Sequence, residues 1–124
     1  MDASENSIAV LVVEDEPMIR LVAADQLLDA GFEVYEAGRA EEAIPILEAH
    51  SEIRLLFTDV KMPGPMDGLK LAQFVRDRWP RLKIMVTSGH VRVTQDSLPA
   101  GAFFLPKPYD LAMLPGRIRE LIAA

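Results

Sequence analysis

The 124-residue chain predicts a single α/β domain, a doubly wound five-stranded parallel sheet with helices on both faces. Three observations carry that prediction. Short apolar runs alternate with helical periodicity five times along the chain. The length suits one domain, commonly about 100–150 residues, and leaves no room for the eight units of a closed barrel. A hydrophobic content of 50% is enough for a core and argues against wholesale disorder.

Taken in order, Ile8 to Val13 is an unbroken apolar run rich in β-branched residues, as expected for a strand buried on both faces. Pro17 opens the first helix, where its missing N–H costs nothing, and Ile19, Val22, Ala23, Leu27 and Ala30 recur at helical spacing up to Gly31. Phe32 to Ala37 forms the second strand and Glu41 to Ala49 the second helix, which Pro45 is expected to bend or shorten. Ile53 to Thr58 is the third strand, ending at Asp59. Met62-Pro63-Gly64-Pro65 is a loop, and Asp67 caps an amphipathic helix to Trp79. Leu82 to Val86 is the fourth strand, reaching Thr87-Ser88-Gly89. From His90 to Gly101 the residues form helices poorly, so any helix there should be short or irregular. Ala102 to Leu105 is the fifth strand. Asp110 caps a final helix to Ala124, which Pro115-Gly116 is expected to interrupt.

Composition narrows the function classes. Nineteen acidic against thirteen basic residues give a net charge of −6, the wrong balance for a nucleic-acid binder. The absence of cysteine excludes disulfides, thiolate metal sites and cysteine nucleophiles. No apolar run approaches the roughly 18 residues of a membrane span, and residues 1–7 lack the features of a signal peptide. The expectation is a cytoplasmic protein with a flexible tail over residues 1–7, a domain over 8–124, and no output domain. His50 and His90 are isolated, which weighs against a phosphohistidine carrier or a histidine metal site.

A parallel sheet of this class binds ligands beyond the carboxyl ends of its strands. There the chain carries Glu14-Asp15-Glu16 after the first strand, Asp59 after the third, Thr87-Ser88 after the fourth and Lys107 after the fifth. Each alone is an ordinary turn, cap or surface residue; their coincidence at one edge is the signal. Clustered carboxylates repel by about 4 kcal/mol per pair at 4 Å and an effective dielectric of 20. An oxygen-only acid cluster therefore suits a hard cation such as Mg²⁺. A carboxylate beside Mg²⁺ can accept a phosphoryl group, and a hydroxyl and an ammonium suit its oxygens. Phosphoryl transfer is the chemistry that fits best.

Five fragments, in order, resemble the receiver domain of two-component response regulators, of the single-domain, chemotaxis-regulator-like kind. They are Val12-Val13-Glu14-Asp15-Glu16-Pro17, Thr58-Asp59-Val60-Lys61-Met62-Pro63-Gly64, Asp67-Gly68, Val86-Thr87-Ser88-Gly89 and Phe104-Leu105-Pro106-Lys107-Pro108. The spacings of 44, 28 and 20 residues between Asp15, Asp59, Thr87 and Lys107 suit that family. The resemblance implies a flavodoxin-like fold of strand order 2-1-3-4-5 and a phosphoacceptor at Asp59. It implies Mg²⁺ held by Asp15, Asp59 and the backbone carbonyl of Lys61, with Glu14 acting through water. Lys107 would pair with the phosphoryl oxygens, its bond to Pro108 being cis, while Thr87 and Phe104 would be the switch residues. Lys61 and Gly89 stand where the family tunes dephosphorylation. Implied partners are a histidine kinase or histidine phosphotransfer protein and a downstream protein target, with no nucleic acid or membrane. The protein would be a monomer or a weak dimer on phosphorylation.

Other classes fit less well. A Mg²⁺-dependent phosphohydrolase of the haloacid-dehalogenase type would carry Asp-x-Asp after the first strand and a cap. A pseudo-receiver would have no use for Asp15, Asp59, Thr87 and Lys107 together. A flavin-binding relative would carry a Ser/Thr/Gly-rich loop after the first strand, where this chain has Glu14-Asp15-Glu16.

Overall fold

A computed structural model describes residues 7–89 and 93–124. The expected tail lies outside them except for Ser7, as does His90. The sheet is parallel throughout and its five strands run β2-β1-β3-β4-β5. They are β1 (Ala9–Val13), β2 (Glu33–Ala37), β3 (Ile53–Asp59), β4 (Lys83–Ser88) and β5 (Phe103–Pro106). The helices are α1 (Pro17–Asp29), α2 (Ala40–Ala49), α3 (Gly68–Arg78) and α4 (Leu114–Ala123).

Two apolar cores lie on the two faces of the sheet, and β1 feeds both because successive strand residues point in opposite directions. Ala9, Leu11 and Val13 face a core completed by Ala43 and Leu47 of α2 and by Leu71 and Val75 of α3. Val10 and Val12 face the other, completed by Ala23 and Leu27 of α1 and by Leu114 and Ile118 of α4. An unbroken apolar run in the sequence thus becomes a strand covered on both sides.

β3 breaks the alternation once. The β1–β3 register passes from Ala9↔Ile53 to Val10↔Leu55, leaving Arg54 as an extra residue on β3. Ile53 packs in one core and Leu55 in the other, so the two-residue period restarts after exposed Arg54.

Three elements differ from the sequence expectation. Pro45 does not end α2, which runs through it to Ala49. Ala40, Ala43 and Leu47 are buried on one face of that helix, and this packing outweighs the one hydrogen bond that proline removes. Pro115 does not interrupt the last helix but opens it, in the first-turn position where proline is tolerated. Asp110 caps a separate 3₁₀ turn, Leu111–Met113, accepting from the Ala112 N–H at 2.9 Å. Between β4 and β5 the expectation of a short or irregular helix holds: a single 3₁₀ turn at Gln95–Ser97 is the helical segment there among the described residues.

The cap at Asp67 stands as expected, its side chain accepting from the Lys70 N–H at 2.9 Å. α1 departs from a simple inward apolar face. Ala23 and Leu27 are buried, whereas Met18, Ile19, Leu21 and Val22 are exposed, Met18 by 70%.

Candidate functional site

The strand order reverses direction around β1 and β3, and at such a switch point the loops leaving adjacent strands diverge and open a crevice. Glu14 follows β1 and Asp59 ends β3, so the crevice is acidic from the start. Carboxylate oxygens of Glu14, Asp15 and Asp59 all lie within 4.8 Å of one another. Glu14 and Asp59 are buried, while Asp15 is exposed at the rim.

Lys107, just beyond β5, reaches into this cluster. Its Nζ lies 3.0 Å from Asp59 Oδ2 and 3.4 Å from Glu14 Oε1. The Lys107–Pro108 peptide is cis. The Lys107 N–H also donates to the Ser88 carbonyl at 3.1 Å, which ties the loop to the end of β4. A cleft of about 480 Å³ opens here, lined among others by Glu14, Asp15, Asp59, Lys61, Ser88 and Lys107.

Charge and burial shift the ionisation of this group. Burial, reinforced by the Asp59 charge, raises Glu14 to about 7 despite a hydrogen bond from the Glu16 N–H and the nearby ammonium. Burial by itself would lower Lys107, but the hydrogen bond and charge of Asp59, with the charge of Glu14, outweigh it and raise the ammonium above its usual range. The cluster contains more acid than its single lysine compensates, and its donors are oxygens only. That set fits a hard divalent cation, and Mg²⁺ in particular accepts one or two carboxylates together with waters and phosphate oxygens.

Thr87 pairs with Asp59 in the β3–β4 ladder. Its side chain is buried, and its Oγ1 has no hydrogen-bond partner among the described residues. An unsatisfied buried hydroxyl costs about 1–3 kcal/mol, so this one is poised to gain from any new acceptor nearby. Phe104, on β5, is half-buried and packs against the core under α2 and α3.

Two residues of the site, Arg20 and Tyr109, escaped the sequence reading, and the role of a third, Gly68, was not visible there. Arg20 of α1 donates to the Glu14 carbonyl at 2.8 Å and pairs with Glu36 at 3.3 Å, pinning the acidic loop to β2. Nothing marks it in the sequence beyond a cation one turn into the helix. Gly68 presses on β3: a Cβ there would stand 1.8 Å from the Asp59 carbonyl oxygen, so no other residue fits. Its pairing with the capping Asp67 was visible, but the contact was not. Tyr109 stacks edge-on to Phe57 at 5.9 Å, and burial raises its hydroxyl pKa.

This arrangement has counterparts. The profile of the response regulator receiver domain matches residues 10–119. The chain belongs to that family. It is a receiver domain of two-component signalling, a family that works with histidine kinases, and its acidic cluster fits the phosphorylation site. The chain is 36% identical over 120 residues to the sensor kinase CckA of Brucella abortus, covering 94% of this receiver but only 13% of that kinase. Among solved structures, a receiver protein from Sinorhizobium medicae superposes with a TM-score of 0.87 at 28% identity, covering 97% of this chain and 98% of the other. The Thermotoga maritima response regulator TrrA, in complex with Mg²⁺-BeF, superposes with a TM-score of 0.80 at 28% identity, covering 92% and 98%. Among the described residues, no helix of this receiver is long and apolar enough to cross a membrane.

Proposed function

We propose that this receiver accepts a phosphoryl group on Asp59 from a phosphohistidine of a histidine kinase or histidine phosphotransfer protein. The observation that carries this reading is Lys107 Nζ at 3.0 Å from Asp59 Oδ2, inside a cluster of three carboxylates. A carboxylate oxygen of Asp59 bonds to phosphorus as the P–N bond to imidazole breaks, and the imidazole nitrogen keeps that bond's electron pair. Lys107 then serves the phosphoryl oxygens that replace part of its contact with Asp59. Mg²⁺, held by Asp15, Asp59 and the Lys61 carbonyl with Glu14 through water, would supply charge neutralisation for the phosphoryl oxygens.

The donor docks beside the acid cleft. Met18, Ile19 and Val22 of α1 border a groove of about 590 Å³ whose far wall is Pro108, Tyr109 and Leu111. Ile19, Gly89 and Lys107 line both this groove and the acid cleft, so a partner seated on the apolar patch holds its phosphohistidine within reach of Asp59.

The output is a changed protein-binding surface. Phosphorylation takes Asp59 from about −1 to about −2. The Thr87 hydroxyl moves to the phosphoryl group and Phe104 turns inward behind it. Shifting a population from 1:99 to 99:1 takes about 5.5 kcal/mol, against about 1.5–3 for one charge-assisted hydrogen bond. Thr87 therefore acts together with Lys107, the cation and repacking at Phe104. The surface so altered binds a downstream protein in the cytoplasm, with the receiver a monomer or a weak dimer when phosphorylated.

The test is incubation with Mg²⁺ and acetyl phosphate, followed by intact mass. Wild type gains one phosphoryl group and Asp59→Asn gains none. An adduct that survives in Asp59→Asn moves the acceptor elsewhere, and multiple turnover of external phosphomonoesters makes the protein a hydrolase. Unchanged amide shifts over residues 87–107 in the phosphorylated or beryllofluoride-loaded protein defeat the switch.

A further inference from the structure

At the opposite end of the sheet from Asp59, the amino ends of β3 and β4 meet the carboxyl ends of α3 and α4 around a second cavity, of about 550 Å³. Four cations line it: Arg54, Arg78, Arg81 and Lys83. They are a large share of the thirteen basic residues in a chain of net charge −6, and nothing in the phosphorelay chemistry uses them. Arg78 is paired with Glu48 at 2.6 Å, and Lys83 Nζ lies 3.4 Å from the Ala124 oxygen. Glu52, the neighbouring acid, is engaged by the Tyr35 hydroxyl and by His50. The side chains of Arg54 and Arg81 have no hydrogen-bond or ion-pair partner among the described residues. Arg54 is also the extra residue of the β1–β3 ladder, a bulge of a kind rare in parallel pairing, and bulges re-aim side chains.

The rest of the lining is apolar. Ile53, Leu82 and Ile122 are joined there by Trp79, whose indole carries the Arg78 guanidinium 4.9 Å from its centroid. A site of this size, lined by both apolar and cationic side chains, suits a small ligand that joins an apolar body to an anionic head. The net charge of −6 disfavours a nucleic-acid strand as the occupant.

We propose that this cavity is a nucleotide site, with phosphates on Arg54, Arg81 and Lys83 and the base against Trp79 and the apolar floor. Guanidinium groups hold phosphate oxygens in bidentate geometry, and a base stacks on the indole–guanidinium platform. This reading is independent of the phosphoacceptor.

The experiment titrates the whole chain with ATP and with GTP, without Mg²⁺ so that the acidic cluster stays metal-free. Amide shifts of residues 52–54, 79 and 81–83 and the fluorescence of Trp79, the only tryptophan, report on the cavity. The expected result is saturable change in these signals below about 1 mM nucleotide, with inorganic pyrophosphate and the free nucleoside each binding at least about tenfold more weakly. Arg54→Glu and Arg81→Glu each weaken binding by at least about tenfold, or about 1.4 kcal/mol, while circular dichroism and phosphorylation at Asp59 stay as in wild type. No saturable shift at millimolar nucleotide overturns the proposal. So does pyrophosphate binding as tightly as ATP, which would make the cavity a contact for an adventitious ion only. Binding that survives both charge reversals, or an oligonucleotide that outcompetes ATP, overturns it equally.

Discussion

The two ends of one strand, β3, differ in almost every electrostatic respect. At its carboxyl end Asp59 is buried, in a regular ladder, and bonded to Lys107 at 3.0 Å beside Glu14. At its amino end Arg54 is exposed, displaced from the ladder by a bulge, and has Arg81 and Lys83 for company. Removing one partner from a buried charge pair strands the other in a poor solvent, whereas exposed cations are already solvated and screened. The carboxyl end should therefore respond strongly to small changes and the amino end hardly at all.

The largest effect is expected where geometry and charge coincide. Gly68→Ala drives a methyl group into the Asp59 carbonyl, a contact no side-chain rotation can relieve. It should cost about 3 kcal/mol in urea denaturation, at the top of the range for overpacking. A loss below about 1 kcal/mol would mean that the start of α3 yields easily. Lys107→Ala comes next. It leaves Glu14 and Asp59 facing each other without an ammonium, and a cost of about 2 kcal/mol is expected after allowing for the partial exposure of the lysine. Mg²⁺ should recover most of that loss by binding the folded state, and chelation should remove the gain.

A pH experiment sharpens the contrast. Burial and Asp59 raise Glu14 to about 7 in the folded, metal-free protein, against an ordinary value of 4.5. Between those values the folded state holds a proton that the unfolded state releases. Its contribution to stability is full below the ordinary value and is lost as pH rises through 7. Glu14→Gln should therefore gain stability relative to wild type between about pH 5 and about pH 8, read from the difference in urea midpoints. A pH-independent difference would refute the raised value. The smallest effect belongs to the amino end: Arg54→Gln and Arg81→Gln, without ligand, should change stability by no more than about 0.5 kcal/mol.

Much of this was legible in the sequence because its causes are local. Unbroken apolar runs such as Val10–Val13 require burial on both faces, and alternation with helices requires parallel strands. Parallel strands put Glu14, Asp15, Asp59, Thr87 and Lys107 at one edge, and the three acids do meet there. What stayed hidden depends on packing. Pro45 reads as a breaker until Ala43 and Leu47 are seen anchored in the core on either side of it. Pro115 reads as an interruption until the chain is seen to finish a 3₁₀ turn first and restart at Leu114. Ile19 and Val22 follow helical spacing, but spacing alone does not say which apolar residues face a core.

By itself, then, the sequence determined the fold class and the edge at which acid, hydroxyl and ammonium converge. Those follow from periodicity, strand direction and residue type, which are properties of neighbours along the chain. Only the tertiary structure decided that Glu14 is buried enough to titrate near 7, that Gly68 abuts the Asp59 carbonyl, and that Arg20 pins the acidic loop. It alone also gathered Arg54, Arg78, Arg81 and Lys83 around Trp79. Burial and close approach come from residues far apart in the chain, and their distances are set when the two cores close on the sheet.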